Sequence, residues 1–182
     1  MKTDKTSLID SLAVAVKSAS DEAASMRNLP SEILNFKPSQ FQWSILECIE
    51  HLNLYGDFYL PELERRIASA KPCSKSIFKS GFIGNAFVNM VTVKGGMVRK
   101  MKTPGDKNPN GSELNILSID RFLKQQDKLL ALLESARRIN LSTTRTNVSL
   151  MPYLQIRLGD TLRFVVSHNE RHIRQAKALV KK

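Results

Sequence analysis

The chain of 182 residues contains three histidines, and two of them, His168 and His172, stand four positions apart in the stretch SHNERHIRQAKALV at 167–180. Successive residues of a helix advance by about 100°, so positions four apart lie within about 40° of one another and both imidazoles face the same way. Leu162, Val165, Ile173, Ala176 and Leu179 form the apolar stripe of this stretch, with Asn169 as its polar member. Arg163, Glu170, Arg174, Lys177 and Lys181 form the opposite face. His172 falls near the centre of the stripe and His168 at its edge. The third histidine, His51, lies in QWSILECIEHLNLYGDF, with Glu47 one turn back, Leu54 and Tyr55 one turn on, and Trp43 two turns back on the same side. It too is expected to face inward. Three neutral imidazoles brought around one point by two helices leave a fourth position open on a zinc-like ion, the arrangement of catalytic rather than structural metal sites.

A plainer reading stands beside this one. A lone inward histidine is ordinarily a hydrogen-bonded core residue, and an H-x-x-x-H spacing recurs by chance in many helices. The glutamate of the H-E-x-x-H protease motif is absent, since position 169 is Asn. Ligation is favoured because every histidine of the chain is used, and because burying three imidazoles with nothing to satisfy them is costly. Around them, Glu47 is the best placed acid or base; its other readings are a carboxylate that orients an imidazole and an exposed helix charge. Cys48, about 60° from His51 around the helix, is a small core residue or a fourth ligand. Arg171 reaches a carboxylate or an anionic substrate, or is simply solvated.

Four segments carry the helical period needed to position these groups. The first, about residues 5–27, aligns Leu8, Leu12, Val16, Ala19, Ala23 and Met26 and ends before Leu29-Pro30. The second is expected to start at Ser39 with Gln42 in an S-x-x-Q capping box, to run through Trp43, Leu46, Ile49, Leu54 and Phe58, and to bend at Pro61 before continuing to Ala70. The third covers about 113–138, with Leu114, Leu117, Phe122, Leu129, Leu130 and Leu133. The fourth begins after Gly159, with Asp160 as N-cap, and runs to about Val180. Ser76 to Val93 is apolar enough for a short helix, and the lysine- and glycine-rich stretch 94–107 reads as an exposed, mobile loop at the rim. Residues 139–158 form a second crossover with too little alternation for a strand. The expected architecture is an all-α four-helix bundle with long connections, one domain over 1–182.

Composition bounds the function. With 42% hydrophobic and 25% charged residues the chain can bury one good core. Two cysteines, Cys48 and Cys73, supply neither a disulfide framework nor a Cys-x-x-Cys metal site. No signal-peptide pattern and no run of about 18 apolar residues is present, so a soluble cytoplasmic protein without membrane contact is expected. Twenty-eight Lys and Arg against 17 Asp and Glu give a net charge of +11. The basic residues are scattered and no nucleic-acid-binding motif accompanies them, so nucleic acid ranks last among the partners.

WSILECIEHL at 43–52 and RLGDTLRFVVSHNERHIRQA at 157–176 together resemble the DinB-like superfamily of four-helix metal-binding proteins, which includes thiol-dependent transferases. The resemblance covers nearly the whole chain. It implies a divalent ion, commonly nickel or zinc, at His51, His168 and His172, and it implies no particular substrate. A metal-dependent enzyme, hydrolytic or thiol-transferring, acting on a small molecule is therefore the first expectation. A non-catalytic bundle that binds a metal or a small molecule is the second. A homodimer is the assembly allowed for.

Overall fold

Residues 1–93 and 103–180 are described in the computed structural model, apart from the side chain of Pro152. Asp4 opens the first helix, α1 (Lys5–Met26), by accepting the Ser7 N–H at 2.8 Å. That bond satisfies one of the donors a helix start leaves free. The helix then buries Leu8, Ile9, Leu12, Val16, Ala19, Ala23 and Met26, the stripe its period dictates. After a single turn, α2 (Ser31–Asn35), the chain enters α3 (Ile45–Ala68). The cap of α3 is a capping box, but not the expected one. Ser44 Oγ accepts the Glu47 N–H at 3.1 Å and the Glu47 carboxylate accepts the Ser44 N–H at 2.8 Å. Ser39 and Gln42 close a turn ahead of the helix instead. Two S-x-x-[EQ] patterns lie five residues apart, and the one closer to the apolar run wins because its helix buries Ile45 and Leu46 at once. The helix continues through Pro61, which lies on its exposed side.

The stretch 76–93 gives a short strand, β2 (Ile77–Lys79), and a helix, α4 (Phe82–Val91). The strand pairs with β1 (Lys2–Asp4). Past the lysine-rich stretch comes α5 (Leu117–Ala136), four residues shorter at its start than the period suggested. The second crossover is a hairpin, β3 (Arg145–Val148) and β4 (Met151–Arg157), where no strand was expected. Its alternation is hidden because one inward position is Thr146, whose hydroxyl is hydrogen-bonded to that of Thr161. The last helix, α6 (Leu158–Val180), starts two residues before Asp160.

Asp160 therefore does not cap α6. Its fully buried carboxylate accepts the Ser80 hydroxyl at 2.5 Å and the Gly81 N–H at 2.8 Å, and so caps the entry to α4 from outside. Glycine is needed where these pieces touch: a Cβ at Gly84 would lie 2.5 Å from the Asp160 carboxylate, and one at Gly159 would lie 2.4 Å from the Phe78 ring.

α1, α3, α5 and α6 make the bundle. α3 packs on α5 and α6, and α1 packs on the same two from the other side, so α1 and α3 stand on one diagonal; α4 lies against α6. The protein is all-α in class, a four-helix bundle with two small two-stranded sheets at its connections. Among the described residues no helix is long and apolar enough to cross a membrane. Two apolar clusters fill the bundle. The larger runs from Leu8 and Leu63 to Phe164 and Val166, and the smaller joins Ala23, Ile45, Ile49, Phe122 and Ile173.

Candidate metal centre

His51 comes from the first half of α3, and His168 and His172 from the middle of α6, two helices that pack together. All three side chains are buried, and one ring nitrogen from each lies within 4.8 Å of the others. The ring centroids are 5.0 Å apart for His51 and His168, 4.6 Å for His51 and His172, and 4.7 Å for His168 and His172. Helical periodicity placed both α6 imidazoles inward, and the structure puts them there.

Their outer nitrogens show which atoms are left to bind. His51 Nδ1 lies 2.6 Å from the Lys107 carbonyl oxygen, and His172 Nδ1 lies 3.0 Å from Gln175 Oε1. Both partners are acceptors, so each Nδ1 carries a hydrogen and each Nε2 keeps its lone pair. His51 Nε2 faces His168 Nε2 at 3.3 Å. Two nitrogens bound at about 2.0–2.1 Å to one tetrahedral ion lie about 3.3 Å apart, so this pair fits a shared ion as it stands. An outer N–H held by a carbonyl or amide oxygen is the usual way a protein fixes the orientation of a ligating imidazole.

The electrostatics keep the rings neutral. Burial pushes His51 down to about 4, with the positive charges of Arg171 and Lys107 adding to the effect against the Lys107 carbonyl bond. His168 and His172 lie well below the ordinary histidine value, again chiefly through burial and then through the neighbouring imidazoles and Arg171. A neutral imidazole is the form that binds a cation. Aromatic rings enclose the cluster: Trp43 lies 4.7 Å from His51 and 5.7 Å from His172, and Tyr55 lies 4.9 Å from His51 and 4.5 Å from His168. Behind His168, a cavity of about 10 Å³ among Tyr55, Gln126 and Asn169 has room for about one water. Asn169 donates to Gln126 Oε1 at 2.8 Å, which ties α6 to α5 beside His168.

The other candidates fall elsewhere. Glu47 is buried with both oxygens engaged, one by the Ser44 N–H and the other by Lys37 Nζ at 2.9 Å. Cys48 is fully buried in the smaller apolar cluster, where burial raises its thiol pKa, and it stands outside the histidine group. Arg171 is buried rather than solvated, and burial lowers its pKa. Of the lysine-rich stretch 94–107, residues 94–102 lie outside the described residues; its end, Lys107, sits in a single 3-10 turn over Gly105–Lys107 and touches the site through its carbonyl instead of standing off at the rim. Sequence reasoning missed Lys107 and Gln175. Gln175 was findable three residues after His172 on the same helix, whereas a backbone carbonyl from a distant loop leaves no signal in side-chain types.

No curated protein and no solved structure matches the chain. A family model described as the DinB superfamily matches residues 18–176, from inside α1 to inside α6, and takes in all three histidines. With a match over most of its length, on a helical bundle whose three histidines meet at one point, the chain belongs to the DinB superfamily.

Proposed function

We propose that the protein is a metal-dependent enzyme of hydrolase or thiol-transferase type, cytoplasmic, acting on a small molecule, with nickel or zinc held by His51, His168 and His172. The observation that carries this reading is the donor set: three imidazole nitrogens within 4.8 Å, with no cysteine or carboxylate joining them among the described residues. Three protein ligands leave a position for an exchangeable group, whereas a fourth such as Cys48 would close the site. When bound, such an ion supplies Lewis acidity, which acidifies a water or a thiol and so makes a nucleophile available at neutral pH.

The chain's own residues prepare this. Lys107 and Gln175 turn two Nε2 lone pairs inward, burial keeps the rings unprotonated, and Trp43 and Tyr55 shield the centre from bulk water. Within this reading Glu47 acts on the site by fixing the start of α3, because both of its oxygens already hold other groups.

Elemental analysis and titration with zinc and nickel, on the wild type and on His172→Ala, test the metal. Equal binding by both overturns the reading. Assays with activated esters and with thiol–electrophile pairs then separate the two reaction types, and a metal-loaded protein inert in every assay would favour the non-catalytic bundle.

A further inference from the structure

His51 and His172 are oriented in different ways. Gln175 belongs to the same helix as His172, three residues on, so that bond is made within one element. The acceptor for His51 is a carbonyl 56 residues away, in the connection between α4 and α5. A loop carbonyl can orient an imidazole only as well as the loop is held. Inside the segment the bonds are local: Lys107 N–H to the Pro104 carbonyl at 3.0 Å, Asn108 N–H to the Gly105 carbonyl at 3.2 Å, and Asn110 N–H to Asn108 Oδ1 at 3.3 Å. Among the described residues, one side-chain bond besides that of His51 ties residues 104–112 to another part of the chain. It is the donation from Lys37 Nζ to Asn110 Oδ1, at 2.6 Å.

The same ammonium donates to Glu47 Oε1 at 2.9 Å, and Glu47 stands one turn before His51 on α3. The Glu47 side chain is only 6% exposed and is fixed by the Ser44 N–H, so this end of the tie moves with the helix that carries the ligand. The contacts close a ring: from His51 back along α3 to Glu47, across Lys37 to Asn110, and along the loop to the carbonyl that returns to His51. The lysine is suited to this because an ammonium has three donors and can serve a carboxylate and an amide oxygen together. A side chain of similar length without a donor, such as methionine, could serve neither. We infer that Lys37 is a positioning residue of the metal centre, holding the Lys107 carbonyl in place so that His51 presents Nε2 to the ion. This rests on the metal-binding reading proposed above.

Loss of a partner to the outer nitrogen of a ligating histidine typically costs about 10- to 100-fold in metal affinity, and loosening one by an indirect tie belongs at the lower end of that range. The test is titration of the full chain with zinc and with cobalt(II), whose visible absorption reports coordination, in the wild type, Lys37→Met, Asn110→Ala, Lys37→Arg and the double variant of Lys37→Met with Asn110→Ala. Lys37→Met and Asn110→Ala are each expected to weaken binding by about tenfold. The double variant should be no weaker than Lys37→Met alone, and Lys37→Arg should recover most of the loss. Asn110 is exposed, so its variant should melt like the wild type without metal, which removes misfolding as an explanation. Binding by Lys37→Met and Asn110→Ala within about twofold of the wild type overturns the inference. Should the wild type bind no metal, it is the reading of the site that has failed, and proton–nitrogen correlation spectra of the metal-free imidazoles decide the tie by themselves. A single Nδ1–H form of His51 in the wild type that becomes a mixture in both variants supports it, and an unchanged single form overturns it.

Discussion

The two ends of the bundle bury polar groups for opposite purposes. At the hairpin end the buried charged groups are spent on the backbone or on another fixed group. Lys5 Nζ donates to the carbonyls of Cys73 at 3.2 Å and Ile139 at 3.3 Å, Glu62 accepts the Asn147 N–H at 2.8 Å, and Asp160 holds Ser80, Gly81 and Arg163. These bonds fasten strands and loops to helices, and among the described residues Arg157 Nε is the buried side-chain atom at this end left without a partner. At the histidine end the outer nitrogens of His51 and His172 are fastened in the same manner, yet the inner nitrogens of the three rings converge on one another. His51 Nε2 lies 3.3 Å from His168 Nε2, and burial keeps an extra, charging proton off His168 and His172, so the cluster stays neutral and able to receive a cation. A polar group that holds the fold has its partner in the chain, and one that serves a ligand is left turned toward the place the ligand takes.

That contrast predicts opposite responses to mutation. Asp160→Ala should cause the largest loss of stability, about 3–5 kcal/mol by denaturant unfolding, because it removes the carboxylate paired with Arg163 and uncaps α4. Metal affinity should barely change, and a tenfold loss would show that the two ends are coupled. Alanine at His51, His168 or His172 should do the reverse. Metal affinity should fall by more than about 100-fold, since even outer partners cost up to that much, while the melting temperature without metal should hold or rise as a buried imidazole is removed. A large loss of stability in the metal-free variants would mean that the histidines belong with the structural polar groups.

Acid should act at the histidine end next. The unfolded imidazole takes up a proton near pH 6.5, whereas folded His51 resists until about 4, so between these values the unfolded state binds more protons and stability falls as pH falls. At pH 5 the metal-free protein should have lost about 2 kcal/mol from His51 alone relative to pH 7, as read by denaturant midpoints. His51→Gln should flatten that part of the profile. An unchanged slope would place the titrating group elsewhere. With metal present the same protons compete for the ligand nitrogens, so acid should also release the ion.

The histidine end was the more legible of the two in the sequence, and for a physical reason. A helix fixes direction by spacing alone, so His168, His172 and His51 could be placed on inward faces before any tertiary contact was known, and the bundle followed from the same period. The hairpin end resisted. Thr146 breaks the apolar alternation of β3 because its hydroxyl is satisfied by Thr161, a partner fifteen residues away. Asp160 looked like the cap of its own helix and instead caps α4, across a separation of 79 residues. The start of α3 was misplaced because two capping patterns compete and only burial of Ile45 and Leu46 decides between them. Spacing reads what one element does to itself, and it is blind to a bond whose other half comes from a distant segment.

Glu47 is where the two kinds of polar burial meet, and its variant should give the smallest effect. Its sequence position, one turn before His51, suggests proton transfer, but both of its oxygens are engaged, as those of Glu62 and Asp160 at the hairpin end are. In Glu47→Gln the amide oxygen can still accept the Ser44 N–H, since glutamine serves in the same capping box, so α3 keeps its start. What goes is the ion pair with Lys37. Because Lys37 is 30% exposed and water can take over part of its solvation, the cost in stability should be no more than about 1 kcal/mol. Lys37 also keeps its bond to Asn110, so metal affinity should drop by less than the roughly tenfold expected when the lysine itself is lost. Once an assay is in hand, turnover per bound metal should be nearly unchanged. A fall of about 100-fold or more at full metal occupancy would instead put Glu47 in proton transfer and move it from the structural groups to the working ones.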